Sequence, residues 1–298
     1  MELRQLKYFI EVARVEHFSK AAETLHVAQS ALSRQIGLLE KELGVELFTR
    51  EGRNVKLTLI GKLFADQAMI ALKAIDNATQ LIEEYLDPEH GTIRIGFPSS
   101  IASNTLPTII SPFKKEHPEV RFHLRQGSYK FLAEGIKNRE IDLAFIGPVP
   151  QTNPDLHADI LFTESFVALV PKTHPLAGKD SISLTQLWED SFVLFPEGFV
   201  LRKIVVDACH QAGFRPFIPF EGEDLDAIKG LVSAGIGVTI LPETTLHGNM
   251  PSETVKLKIS TPDVKRTVGV LIPKNRELSP SEKLFYEFVL NYFKDITF

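Results

Sequence analysis

The run from Phe18 to Thr58 constrains this chain most. Phe18, Ala21, Ala22 and Leu25 mark the apolar face of a short helix, and a tight polar break follows. A second helix starts near Gln29. Its stripe of Leu32, Ile36, Leu39 and Leu43 repeats at four, three and four, which is one face of an α-helix. The other face shows Gln29, Ser30, Ser33 and Arg34 near the N-terminus. These are short or forked hydrogen-bonding side chains, the kinds that read base edges and hold phosphates. Two short helices joined by a turn, the second with a polar leading face, describe a helix-turn-helix. An ordinary helical hairpin inside an enzyme would give the same window, so the residues that follow have to decide.

Gly44 sits where a helix-closing glycine would. Val45 to Arg50 reads as a strand, Glu51-Gly52-Arg53-Asn54 as a turn and Val55-Lys56-Leu57 as a returning strand. A hairpin beside a helix-turn-helix is a wing. Arg50, Arg53 and Lys56 place three cations on it, suited to backbone phosphates or a minor groove. Thr58 is a natural N-cap for the next helix.

These residues carry a family resemblance. Phe18-Ser19-x-Ala21-Ala22, Gln29-Ser30-x-x-Ser33-Arg34-Gln35-Ile36, Leu39-Glu40, Leu43-Gly44 and Leu47-Phe48-x-Arg50-x-x-Arg53-x-x-x-Leu57-Thr58 resemble the N-terminal domain of LysR-type transcriptional regulators in order, spacing and type. The resemblance implies a dimer of winged heads on a promoter, a linker helix that dimerises them, a tetramer built from such dimers, and a small-molecule effector in a two-lobed C-terminal region. RNA polymerase is a further partner it allows. Three stretches also look like the sub-type that activates glutamate synthase genes in Gram-positive bacteria: Gln126 to Phe131, Leu194 to Arg202 and Glu221 to Gly230.

The net charge of −5 argues at first against nucleic acid. Residues 1–58, however, hold nine Lys/Arg against eight Glu, a net of +1, and the remaining 240 carry −6. Binding set by a few placed cations and by dimerisation fits that split better than bulk attraction. The single cysteine, Cys209, excludes an intrachain disulfide framework and a cysteine zinc site, and reads as a buried small residue. Charges at Glu2, Arg4, Lys7 and Glu11 leave no apolar signal region, and no apolar run approaches a membrane span. The expectation is a cytoplasmic protein that does not enter a membrane.

Leu3, Leu6, Ile10 and Ala13, widened by Phe9 and Val12, mark a first helix behind the helix-turn-helix. Residues 58–86 form the longest helical stretch. Phe64, Ala68, Ala71, Ile75, Ala78, Ile82 and Tyr85 alternate by four and three, a coiled-coil seam over three heptads. At about 1.5 Å per residue such a helix is roughly 43 Å long. Its stripe packs either on its own chain or on a second copy, and three alanines favour close approach of a partner helix. Asp87 to Gly91 reads as a hinge.

Beyond the hinge, strands and helices alternate. Strands are predicted at Thr92–Gly96, Val120–Arg125, Asp142–Ile146, Phe166–Val170, Phe192–Leu194, Phe217–Phe220, Val238–Leu241 and Thr267–Ile272. Helices are predicted at Ile101–Glu116, Tyr129–Asn138, Leu184–Trp188, Leu201–Ala212, Leu225–Ala234 and Pro280–Phe293. This predicts an α/β protein overall: an N-terminal, mainly α winged helix-turn-helix (1–58), a linker helix (59–87) and a two-lobed α/β effector domain (88–298) with a largely parallel sheet, resembling periplasmic binding proteins. The lobes are expected at about 92–162 with 266–298, and at 163–265.

Open α/β sheets bind ligands at the carboxyl ends of their strands. Those ends here read Ser99-Ser100, Gln126-Gly127-Ser128, Gly147-Pro148, Phe195-Pro196-Glu197-Gly198-Phe199 and Glu221-Gly222-Glu223. For any single Ser or Gly, helix capping weighs as much as ligand contact. Five such loops on two lobes favour a cleft. Its candidates are Ser99, Ser100, Gln126, Ser128, Gly147, Phe195, Glu197, Phe199 and Arg202. An arginine for a carboxylate and a glutamate for an ammonium suit a small dicarboxylate or amino acid such as 2-oxoglutarate or glutamate. Arg202 and Glu197 could equally pair with each other. Gly235-Ile236-Gly237 lacks the third glycine and precedes a strand, which argues against a dinucleotide. Nine scattered histidines show no ligand spacing, and no nucleophile elbow or P-loop occurs, so neither metal, cofactor nor catalytic residue is expected. The rival class is an enzyme or solute-binding module with a helical appendage.

Overall fold

The computed structural model describes residues 1–51, 54–102, 104–150 and 152–294, and within them all side chains except those of 50, 51, 54, 80, 81, 83, 84 and 88. Its contacts fall into two units, Met1–Glu83 and Glu84–Phe298.

The first unit runs α1 (Leu3–Val15), α2 (Phe18–Thr24), α3 (Gln29–Leu43), β1 (Phe48–Glu51), β2 (Asn54–Leu57) and α4 (Leu59–Leu86), the last reaching into the second unit. Leu6, Phe9 and Val12 of α1 pack with Ala21, Ala22, Leu32, Ile36 and Leu39 in one core. The expected stripes fray at their ends: Leu3 and Leu43 are exposed. His26 makes the turn between α2 and α3 in the left-handed region, and Gly44 closes α3 there too. Glu40 Oε1 accepts from the amides of Leu47 and Phe48 at 2.8 and 3.2 Å, pinning the hairpin to α3. Thr58 Oγ1 accepts from Gly61 N at 2.9 Å, the predicted N-cap. Gly61 is needed for a second reason: a Cβ there would lie 2.1 Å from Leu47 O.

The seam read on α4 divides. Phe64 and Ala68 belong to the head's own core, with the Phe64 ring 5.2 Å from Phe9. Ala71, Ile75, Ala78, Ile82 and Tyr85 are exposed. A second apolar row that the heptad reading missed, Leu59, Leu63 and Ile70, is exposed beside them.

The second unit begins with a 3-10 turn at Pro88–His90 and continues β3 (Thr92–Phe97), α5 (Ser99–Ala102), α6 (Thr105–Glu116), β4 (Arg121–Gln126), α7 (Tyr129–Lys137), β5 (Leu143–Ile146) and β6 (Leu156–Pro171). Then follow β7 (Ser181–Ser183), β8 (Ser191–Leu194), α8 (Val200–Gln211), β9 (Phe217–Glu221), α9 (Leu225–Ser233), β10 (Thr239–Pro242), β11 (Thr254–Thr261), β12 (Lys265–Pro273) and α10 (Pro280–Lys294). The long sheet has the order β4-β3-β5-β12-β6-β11-β7, with β10 also on β6 and β8 paired to β9. β3 is parallel to β4 and β5, and β8 to β9, as alternation of strands and helices requires. β12, β10 and β11 run antiparallel to β6, so the parallel character is local.

β6 corrects the strand expected at 166–170. It is sixteen residues long and belongs to both halves of the unit. Leu156–Ser165 pairs with β12, and Phe166–Pro171 with β10 and β11. One core gathers Ile93, Ile95, Phe113, Phe145, Val268 and Phe285; the other gathers Leu169, Phe192, Val205, Ile228, Ile240 and Leu257. The helix expected over 101–116 is two pieces, and the one at Leu184–Trp188 is a 3-10 turn. Cys209 is fully buried in the second core, and burial pushes its thiol up to about 12.

Candidate functional site

On the head, Gln29, Ser30 and Arg34 are exposed at the start of α3, and Ser33 is half-buried one turn in. Gln29 Oε1 accepts from Ser19 Oγ at 3.0 Å, so α2 orients it. The side chains buried behind this face are Leu32, Ile36 and Leu39, which fix its outward direction. Lys56 is exposed on β2, and its carbonyl accepts from Thr49 Oγ1. Arg50 lies on β1; its side chain, and all of Arg53, fall outside the described residues.

In the second unit a cavity of about 770 Å³ opens where the sequence placed a cleft. Ser99, Ser100, Gln126, Ser128, Phe195, Glu197 and Phe199 all line it. The Phe195 and Phe199 rings stack at 5.2 Å to form an apolar wall. Ser128 caps α7, accepting from Phe131 N at 3.4 Å. Gly127 has room for no side chain, because a Cβ would meet the Phe131 ring at 2.2 Å. Phe199 heads α8 without a side-chain cap, and Phe199, Val200 and Leu201 all line the cavity. The positive ends of α7 and α8 therefore both reach the same space.

Two expected residues lie elsewhere. Arg202 does not line the cavity. Its Nη1 donates to Phe195 O at 2.9 Å and Glu221 Oε1 at 2.5 Å, and Glu197 stands 3.8 Å from Nη2. Of the two roles weighed for it, pairing within the protein is the one the geometry displays, with Glu221 as the nearer partner. Gly147 sits behind the lining, and its carbonyl accepts from Arg266 at 3.2 Å.

The sequence reading passed over Lys130, Glu223 and Arg266. Lys130 and Glu223 line the cavity. Lys130 falls in the first turn of α7, where the helix dipole disfavours a cation, and that misplacement was a usable signal. Arg266 lies between Lys265 and Thr267 at the start of β12, and it is buried opposite Glu164 of β6 in the strand register. Its Nε donates to Glu164 Oε1 at 2.6 Å and its Nη1 to Ser100 Oγ at 3.0 Å. Thr244 Oγ1 donates to the other Glu164 oxygen at 2.5 Å. Burial pushes the guanidinium pKa down, and Glu164 opposes that shift. Among the described residues no group of His, Cys, Asp and Glu could hold a metal, and no helix is long and apolar enough to cross a membrane.

Residues 3–62 match the family described as bacterial regulatory helix-turn-helix protein, lysR family, and residues 86–294 match the LysR substrate binding domain. The chain belongs to the LysR family. The transcriptional dual regulator GltC of Bacillus subtilis (strain 168) is 61% identical over 296 residues, 99% of each chain. The crystal structure of full-length CbnR complexed with its target DNA superposes with a TM-score of 0.80 at 25% identity, covering 98% of this chain and 99% of that one. The effector binding domain of QuiR in complex with shikimate gives a TM-score of 0.63 at 29% identity, covering 70% of this chain and all of that one. This LysR-type chain is thus a DNA-binding transcriptional regulator with an effector-binding domain, and not an enzyme. Regulators of this kind bind promoter DNA and small-molecule effectors and form oligomers.

Proposed function

We propose that this regulator activates genes of glutamate and nitrogen metabolism in response to a small dicarboxylate or amino acid, such as 2-oxoglutarate or glutamate, held in the cleft. The observation that carries the ligand class is the convergence of two helix N-termini, the Ser100 and Ser128 hydroxyls and Lys130 on one cavity. Glu197 and Glu223 at its edge can receive the ammonium of an amino acid. The 61% identity with the dual regulator GltC supports the pathway. In this proposal residues 1–58 read the operator through Gln29, Ser30, Ser33 and Arg34, while Arg50, Arg53 and Lys56 hold phosphates. Residues 59–87 join two copies, residues 88–298 sense the effector, and the working unit is a dimer or a tetramer of such dimers in the cytoplasm. RNA polymerase is the partner an activator would address.

A gel shift on the promoter of a glutamate synthase gene and on the DNA upstream of the protein's own gene, with and without millimolar 2-oxoglutarate or glutamate, tests this. A retarded band whose mobility or salt sensitivity responds to either compound is expected. Binding to neither DNA rejects the pathway, and an unresponsive complex rejects the ligand class.

A further inference from the structure

The hydrogen-bond polarity of the cleft is set from behind it. A serine hydroxyl has one proton to donate and lone pairs to accept with. Ser100 Oγ already accepts from Arg266 Nη1 at 3.0 Å, and among the described residues no acceptor takes the Ser100 proton. Ser128 Oγ likewise accepts from Phe131 N. Of the three serines that line the cavity, Ser100 and Ser128 each already accept one hydrogen bond and keep their proton to donate.

The guanidinium that imposes this on Ser100 is held on several sides. Glu164 Oε1 takes its Nε, Gly147 O shares its Nη1, and the Phe166 ring lies 6.0 Å away. Thr244 in turn holds the far oxygen of Glu164. The arginine and the glutamate are both nine-tenths buried or more, so neither can swing into solvent. Arg266 Nη2, also buried, has no hydrogen-bond partner among the described residues. A buried ion pair alone would not need an arginine whose fork is only partly used by its carboxylate.

We propose that Arg266 is a positioning residue that determines effector specificity through Ser100. It occupies one lone pair of the Ser100 oxygen, and its positive charge polarises the O–H and repels a further cation from that oxygen. The Ser100 corner therefore favours an unprotonated carboxylate over an ammonium or an amide N–H. The inference rests on the effector reading of the cavity given above.

The test is a titration calorimetry series on the full-length protein with 2-oxoglutarate, glutarate and the neutral analogue glutaramide. The wild type should bind a dicarboxylate and prefer it to glutaramide. Ser100→Ala and Arg266→Lys should each weaken dicarboxylate binding about tenfold, the size of one charge-assisted hydrogen bond. The double variant should be no weaker than either single one, because both remove the same contact. Ser100→Ala only deletes a hydroxyl, so it reads the selectivity even where Arg266→Lys does not fold, and its preference for dicarboxylate over glutaramide should narrow. Losses that add in the double variant, or selectivity unchanged in Ser100→Ala, overturn the inference and leave the dicarboxylate reading standing. A wild type that binds no dicarboxylate overturns both.

Discussion

Arg34, proposed to read the operator, is exposed on the leading face of α3 and backed by the buried Leu32 and Ile36. Arg34→Ala should cost about 1–3 kcal/mol of specific binding, measured by gel shift against an unrelated duplex. Equal loss on both duplexes would make Arg34 a phosphate contact. Cys209 gives a second expectation. With its thiol pushed up to about 12 by burial, it should ignore a thiol reagent at neutral pH and react on denaturation. Fast labelling of the native protein would contradict that burial. Residues such as Arg34 were legible because their neighbours on one helix define a face. Arg202 was not, because its partner Glu221 comes from β9, nineteen positions away, and no local pattern announces such a pair. Arg266 was invisible for the same reason: Glu164, Ser100 and Gly147 meet it only once β12 pairs with β6, over separations of more than a hundred residues.

Among the elements, α4 shows how far periodicity carries. The four-and-three spacing located the helix and its apolar stripe, but spacing cannot say which end of a stripe a domain keeps for itself. Phe64 and Ala68 went to the head, leaving Ala71, Ile75, Ala78 and Ile82 uncovered. Ala71→Glu should lower the dimer's association constant strongly, since burying an unpaired charge costs several kcal/mol. Sedimentation that still shows a dimer at micromolar concentration would place the contact elsewhere. Gly61→Ala tests the other end of the helix. Its Cβ would meet a backbone oxygen, so a loss of about 1–3 kcal/mol in thermal or urea stability of the head is expected. β7 and β11 escaped the sequence reading. β7 is three residues long and too short to carry a pattern, whereas β11 alternates Val255, Leu257 and Ile259 with Lys256 and Lys258, a legible strand signal that was passed over.

For the whole molecule, an effector that binds only the folded state stabilises it by mass action. A concentration one hundred times the dissociation constant adds about 2.7 kcal/mol. A melting curve of the full chain with 2-oxoglutarate or glutamate should therefore move upward, and Lys130→Ala should shrink the shift without changing the ligand-free curve. A ligand-free curve that falls as well would assign Lys130 to the fold. The two halves of the second unit meet at a narrow place. Around Phe162–Ser165 and Lys265–Val268 the sheet is only β6 and β12, because β5 joins β12 beyond it on one side and β10 and β11 join β6 on the other. The register slips beside Gly269, and such bulges raise local twist. Twist is largest and most variable in ribbons only two strands wide, where no further strand holds it. Ligand work done in the cavity is therefore best delivered as a rotation about the strand axis, with the Arg266–Glu164 pair at the middle of the shaft, and the quantity an operator-bound assembly would register is an angle rather than a gap.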